Sequence, residues 1–204
     1  IAVAILLIIL TFPTYWEASA ELTIKDLHTG YTEEGHPWIG AVSPTIEITE
    51  YTDYLCFQCR KMHYYLRRLV ASHPDRIRLI HRHFPMDHTA NPIVKEPFHV
   101  GSGRMALLAI LAAEHGKFWQ MNDVLFEVGE KREEINLTKL SEEIDIELAE
   151  LRGALSVRTD LHLKLAKDVW SGIKRNITGT PSFVIDSEVY VAIIPPEIIR
   201  KALE

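Results

Sequence analysis

The chain has 204 residues, 47% of them hydrophobic and 25% charged, with a formal net charge of −6. This length and apolar content suffice for one well-formed core and do not require a second domain. The acidic balance disfavours non-specific nucleic-acid binding, which needs a basic face to meet phosphates, so no nucleic-acid partner is expected.

Ile1 to Leu10 is an unbroken apolar run, extended through Thr11, Phe12 and Pro13 and followed by the interface-type aromatics Tyr15 and Trp16. Ala18-Ser19-Ala20 has the small-x-small form that precedes signal cleavage, and the run is shorter than a full span of about 20 residues. Residues 1–20 therefore read as a signal segment or membrane anchor, or as the last helix of a larger membrane domain. The sequence has no initiator Met or basic n-region with which to choose, and a buried core helix is the plain alternative. Residues 21–44, with Gly30, Gly35, Pro37, Gly40 and Pro44, read as a linker and lead-in loop. The domain proper is expected from about residue 45 to 204.

Thr45 to Tyr51 alternates as a strand, with Ile46, Ile48 and Glu50 on one face. From Cys56 onward Cys59, Met62, Leu66, Leu69 and Val70 recur at helical spacing, with Arg60, Lys61, Arg67 and Arg68 on what reads as a solvated face. Ile77 to Phe84 is a second strand, closed by Pro85 and a loop holding Pro92 and Pro97. Helices follow over Met105 to Ala113, Phe118 to Phe126 and Leu137 to Leu155, then one capped by Asp160 and running to Trp170. After Gly179-Thr180-Pro181, Ser182 to Ile185 and Val189 to Ile193 form a hairpin across Asp186-Ser187-Glu188, and Pro196 opens a last short helix. The order β, α, β, several helices, β, β, α points to an α/β domain with helices inserted at about 101–172.

The only two cysteines, Cys56 and Cys59, sit where the first strand hands over to its helix. A helix start offers unpaired N–H groups and the positive end of the macrodipole, which lower a thiol below its free value of about 8.5. A working dithiol/disulfide pair follows from that position. A purely structural bridge would close too short a loop to add much stability. A zinc site would need two further ligands, with His81 and His83 the nearest, and no second CxxC or spaced His pair accompanies them, so no metal is expected. Glu50, on the apolar face, reads as a carboxyl whose pKa is raised by apolar neighbours and which passes protons to Cys59; an edge-exposed carboxylate is the alternative. His63, one turn beyond Cys59, is read as bordering the site or as an exposed or core histidine, and Trp119 as a core residue.

Taken together, several stretches resemble the DsbA-like branch of the thioredoxin-fold thiol:disulfide oxidoreductases. They are Gly35-His36-Pro37-Trp38-Ile39-Gly40, Glu50-Tyr51-Thr52-Asp53-Tyr54-Leu55-Cys56-Phe57-Gln58-Cys59-Arg60, Gly116-Lys117-Phe118-Trp119 and Gly179-Thr180-Pro181-Ser182-Phe183. The resemblance spans about residues 36–203. It implies a thioredoxin fold, a central mixed sheet flanked by helices, with an inserted helical subdomain. It makes Cys56 and Cys59 the redox pair, Glu50 the buried acid and Pro181 a cis-proline facing the disulfide. Thr180, Pro181, Phe57 and Gln58 then form the substrate-contacting surface.

The Phe57-Gln58 dipeptide lacks the proline or histidine of well-studied members, and Ala192 stands where a glycine is expected. The resemblance implies an exported oxidoreductase acting on cysteine-containing client proteins, with the disulfide itself as redox group and no other cofactor. Its redox partner would be membrane-bound or soluble, a quinone-linked membrane oxidase among the options. Oxidase activity is slightly favoured over reductase or isomerase activity, and a non-catalytic peptide-binding or chaperone module is the alternative from another class.

Overall fold

The computed structural model describes residues 27–204; the apolar segment 1–20 and the first residues of the linker lie outside them. Six strands form one sheet: β1 (Thr29–Tyr31), β2 (Pro37–Gly40), β3 (Ile46–Thr52), β4 (Ile77–His83), β5 (Ser182–Ile185) and β6 (Glu188–Val191). The spatial order is β1-β2-β4-β3-β5-β6, with β3 and β4 parallel and every other pair antiparallel. Parallel neighbours need a crossover, and α1 (Phe57–Ser72) supplies it between β3 and β4.

The lead-in segment is not a loop. Gly30 pairs with Trp38, and Trp38 with Ile80, so residues 29–40 extend the sheet by two strands. At Gly40 (φ +114°) a Cβ would lie 2.1 Å from the Ile77 carbonyl, so a glycine is required where β2 meets the start of β4.

Ile46, Ile48 and Glu50 of β3 are buried on the face covered by α1, which turns Cys59, Met62, His63, Leu66 and Val70 toward the sheet. On the other face Tyr51 Oη lies 2.8 Å from Ser171 Oγ and its ring packs edge-on against Phe84. From Glu50 to Thr52 both faces are covered and β3 is buried without a break, as expected of a parallel strand between helical layers, whereas Glu47 is exposed and Thr49 half-buried.

The helical insertion comprises α2 (Ser102–Glu114), α3 (Phe118–Lys131), α4 (Leu137–Ile144), α5 (Leu148–Ala154) and α6 (Thr159–Lys174). The stretch Leu137 to Leu155 is two helices because Asp145 takes a left-handed conformation (φ +54°) that ends α4. Asp160 does not cap α6. Arg158 holds the N-cap position, and Asp160 lies in the first turn with both carboxylate oxygens accepting from Arg158. The β5–β6 turn has Asp186 and Ser187 both at positive φ, the geometry of a two-residue hairpin that matches strand twist. α7 (Pro196–Leu203) opens on Pro196, as expected.

Candidate redox site

Cys56 is the N-cap of α1: its backbone is extended, and its sulfur accepts the Cys59 N–H at 3.3 Å. The turn that presents it is built by Asp53. The Asp53 carbonyl accepts the Cys56 N–H at 3.1 Å, and its carboxylate accepts from the Leu55 and Met86 amides and the Ser102 hydroxyl. At Gly129 of α3 a Cβ would lie 2.1 Å from the Tyr54 carbonyl, so the insertion is packed directly on this turn.

The two thiols are free and differ in surroundings. Cys56 is half-buried, and its sulfur lies 3.5 Å from the Thr180 carbonyl. Hydrogen bonding from Cys59 leads the stabilisation of its thiolate, helped by Thr180 and opposed by burial and by Asp53, and the thiol comes down to about 6. Cys59 is buried, which together with Cys56 pushes its thiol well above the ordinary range. One sulfur is thus ionised and reachable at neutral pH, and the other is protonated and shielded.

The Thr180–Pro181 peptide is cis. Ser182 pairs with Tyr51 and Val191, and the Pro181 carbonyl accepts the Ala192 N–H, which fixes this corner against the end of β3. Thr180 therefore faces Cys56 directly. Phe57 and Gln58 are exposed beside it, and Lys61 sits 4.4 Å above the Phe57 ring. Val191 and Ile193 add exposed apolar surface on the Pro181 side, and Phe98 on the side of the loop after β4.

Glu50 is buried, but not among apolar neighbours. Its Oε1 accepts from His63 Nδ1 at 2.8 Å and from His81, its register partner on β4, at 3.2 Å. Burial alone would raise the carboxyl; His63 and then His81 outweigh it and hold the group down at about 2, opposite to the sequence expectation. The proton of this pair belongs on His63: burial pushes that imidazole down, but Glu50 and Asp123 raise it overall. His81 and His83 are driven down by burial, the latter further by its two neighbouring histidines.

The network continues outward. Tyr54 donates to Asn122 Oδ1, the Asn122 amide nitrogen lies 3.0 Å from His63 Nε2, and Arg67 bridges toward Asp123 at 3.0 Å. Arg67 is therefore not on a solvated face: it is buried over Trp119 and paired, whereas Arg68 is exposed as expected. His81 and His83 turn toward Glu50 and each other. Glu50, His63 and His81 bring three possible ligand atoms within 4.8 Å, and the hydrogen bonds among them account for that closeness.

The spacing to Cys59 marked His63 as a neighbour, but not as the partner of Glu50. Asp53 stood in the quoted strand-to-helix stretch without a role of its own, and Asn122 and Asp123 carried no signal there. An Asp two residues before an amide at a strand end is a recognisable turn signal, so Asp53 was open to discovery. The others arrive through tertiary packing.

Among the described residues no helix is long and apolar enough to cross a membrane. In sequence the chain is 26% identical over 141 residues to the Na(+)/H(+) antiporter NhaA 3 of Salinispora tropica, a match covering 69% of this chain. It spans a fifth (20%) of that antiporter's length. In structure it is similar to a thioredoxin-like oxidoreductase from Silicibacter pomeroyi DSS-3, at TM-score 0.63 and 21% identity over 84% of this chain and 91% of that one. It is similar too to the thiol-disulfide exchange protein alpha-DsbA2 from Wolbachia pipientis, at TM-score 0.59 and 14% identity over 81% and 84% of the two chains. These likenesses establish the fold, a thioredoxin sheet carrying inserted helices. A family model described as thioredoxin matches residues 32–204, and the chain belongs to that family.

Proposed function

We propose that this domain is an exported thiol:disulfide oxidoreductase that exchanges disulfides with client proteins through Cys56 and Cys59. The observation that carries the reading is the asymmetry of the two sulfurs: Cys56 lowered to about 6 at the mouth of α1, Cys59 buried and raised behind it. In the oxidising direction a client thiolate attacks Cys56 of the disulfide, the Cys56–Cys59 bond breaks, and Cys59 leaves with the electron pair and takes up a proton. A second client thiolate then attacks the client sulfur of the mixed disulfide; Cys56 leaves as a thiolate and the client keeps the new disulfide. Two electrons now rest on the dithiol and pass to a redox partner, membrane-bound or soluble, with a quinone-linked membrane oxidase as one form. The disulfide is the redox group, and no further cofactor enters these steps.

Thr180 and Pro181 line the client's path, and Phe57 and Gln58 flank it. For Cys59 the proton source is the Glu50–His63 pair. His63 follows Cys59 by one helical turn on the same buried face, so the two side chains are neighbours. Glu50 is then the fixed charge that holds the proton on His63 rather than the carrier itself.

A sulfur that ionises readily is a good leaving group, which favours oxidase over reductase or isomerase activity. The apolar start of the chain supports an extracytoplasmic site of action. The reduction potential of the pair tests direction: an oxidase lies well above thioredoxin's roughly −270 mV, and a value at or below that figure assigns a reductase. A Cys56→Ser, Cys59→Ser protein that retained full function would instead mark a peptide-binding or chaperone module. The antiporter match supports a second reading, in which the domain works beside an ion-transporting membrane domain. Dependence of sodium-driven proton exchange in vesicles on the redox state of the pair tests it.

A further inference from the structure

Phe57-Gln58 places no titratable group between the cysteines. The loop after β4 places one beside them. His99 Nδ1 is buried without an aligned hydrogen-bond partner and lies 3.2 Å from Asp53 Oδ1, an ion-pair contact at the foot of the Cys56 turn. The side chain is one-fifth exposed (21%), and its ring stacks on Phe98 with centroids 4.1 Å apart. The His99 backbone N–H is tied separately, to the Met86 carbonyl at 3.2 Å.

Asp53 is needed to build the turn, yet its buried charge opposes a thiolate on Cys56. An imidazolium on Asp53 offsets that charge. The charged groups that act on His99 are Asp53, in contact with it, and Cys56 and Arg132 at the end of α3 through space. Burial and Arg132 push the imidazole down, and Asp53 and the Cys56 thiolate raise it overall. Linkage is reciprocal: whatever the thiolate does to favour the imidazolium, the imidazolium does for the thiolate.

We propose that the His99 imidazolium, held against Asp53 at the foot of the Cys56 turn, offsets the Asp53 charge and so supports the Cys56 thiolate from a loop distant in sequence. His99 is thus a positioning residue, and the proposal rests on the redox reading above. As His99 loses its proton the reduced form loses support, and the pair becomes a weaker oxidant.

The test is an NMR titration of the His99 ring in the unmodified protein, reduced and oxidised, with the Cys56 thiolate followed by absorbance near 240 nm in the reduced sample. The expected result is a His99 pKa higher by about half a unit in the reduced form, where the thiolate is present. His99→Gln should raise the Cys56 midpoint by a similar amount, and His99→Lys should restore it. If His99→Gln does not fold, the comparison on the unmodified protein decides. Identical His99 titrations in both redox states, with Cys56 still ionising below the ordinary thiol range, would overturn the role of His99 alone. A Cys56 that titrates near 8.5 removes the redox reading and this proposal together.

Discussion

Replacing Glu50 by Gln keeps the side chain's size and one acceptor oxygen but removes the charge on which His63 and His81 converge. The Glu50 carboxyl is lowered from 4.5 to about 2, and at about 1.4 kcal/mol per unit its ionised form contributes about 3 kcal/mol to folding. A depressed acid stabilises the fold above its unfolded pKa, and the contribution is lost as pH falls through 4.5 toward 2. The raised His63 is the other half of the same ion pair and is counted once; its share is fully present below 6.5 and fades as pH rises through its folded value. Urea unfolding followed by tryptophan fluorescence, at steps from pH 7 to 3.5, gives the stability gap between parent and Glu50→Gln. The gap should be widest between about pH 5 and 6.5, at up to about 3 kcal/mol, and should narrow by about 1 kcal/mol by pH 3.5. A gap that stays constant over that range, or a variant more stable than the parent at pH 6, would refute the ion-pair account.

Two backbone positions give further tests. Ala192 adopts φ +66°, where an L side chain is strained, so Ala192→Gly should raise the thermal midpoint by about 2 °C without altering Cys56 reactivity; a lower midpoint contradicts the assignment. Gly129→Ala would push a methyl group into the Tyr54 carbonyl. It should cost about 1–3 kcal/mol and raise the Cys56 midpoint by disturbing its turn, whereas an unchanged alkylation profile would separate that turn from α3.

The site's local features were legible in the sequence because they follow from short-range rules. Two-residue alternation put Glu50 on the buried face, and the strand-to-helix junction put Cys56 at an N-terminus. What alternation could not supply was Glu50's company. His81 stands opposite it only through the parallel register of β3 and β4, and His63 only because α1 packs on that face. The expected apolar surroundings were therefore histidines, and the sign of the shift reversed. Arg67 follows the same logic: a basic residue on a helix reads as solvated until α3 brings Asp123 against it. β1 and β2 look like loop in the sequence because three- and four-residue strands rich in Gly and Pro carry little pattern of their own; β2 forms by pairing with β4, and β1 by pairing with β2. Ala192 shows the converse case, in which a residue standing where glycine was expected takes the very backbone angle that glycine favours.

The central claim is that Cys56 is ionised and reachable while Cys59 is protonated and shielded. Alkylation of the fully reduced protein with iodoacetamide across pH 4 to 9, with the modified residue identified by mass spectrometry, tests it most directly. The expected outcome is a single adduct on Cys56 whose rate rises with a midpoint at about 6, with Cys59 unmodified until the protein unfolds. Equal labelling of both sulfurs, or a midpoint at the free-thiol value of about 8.5, would contradict it.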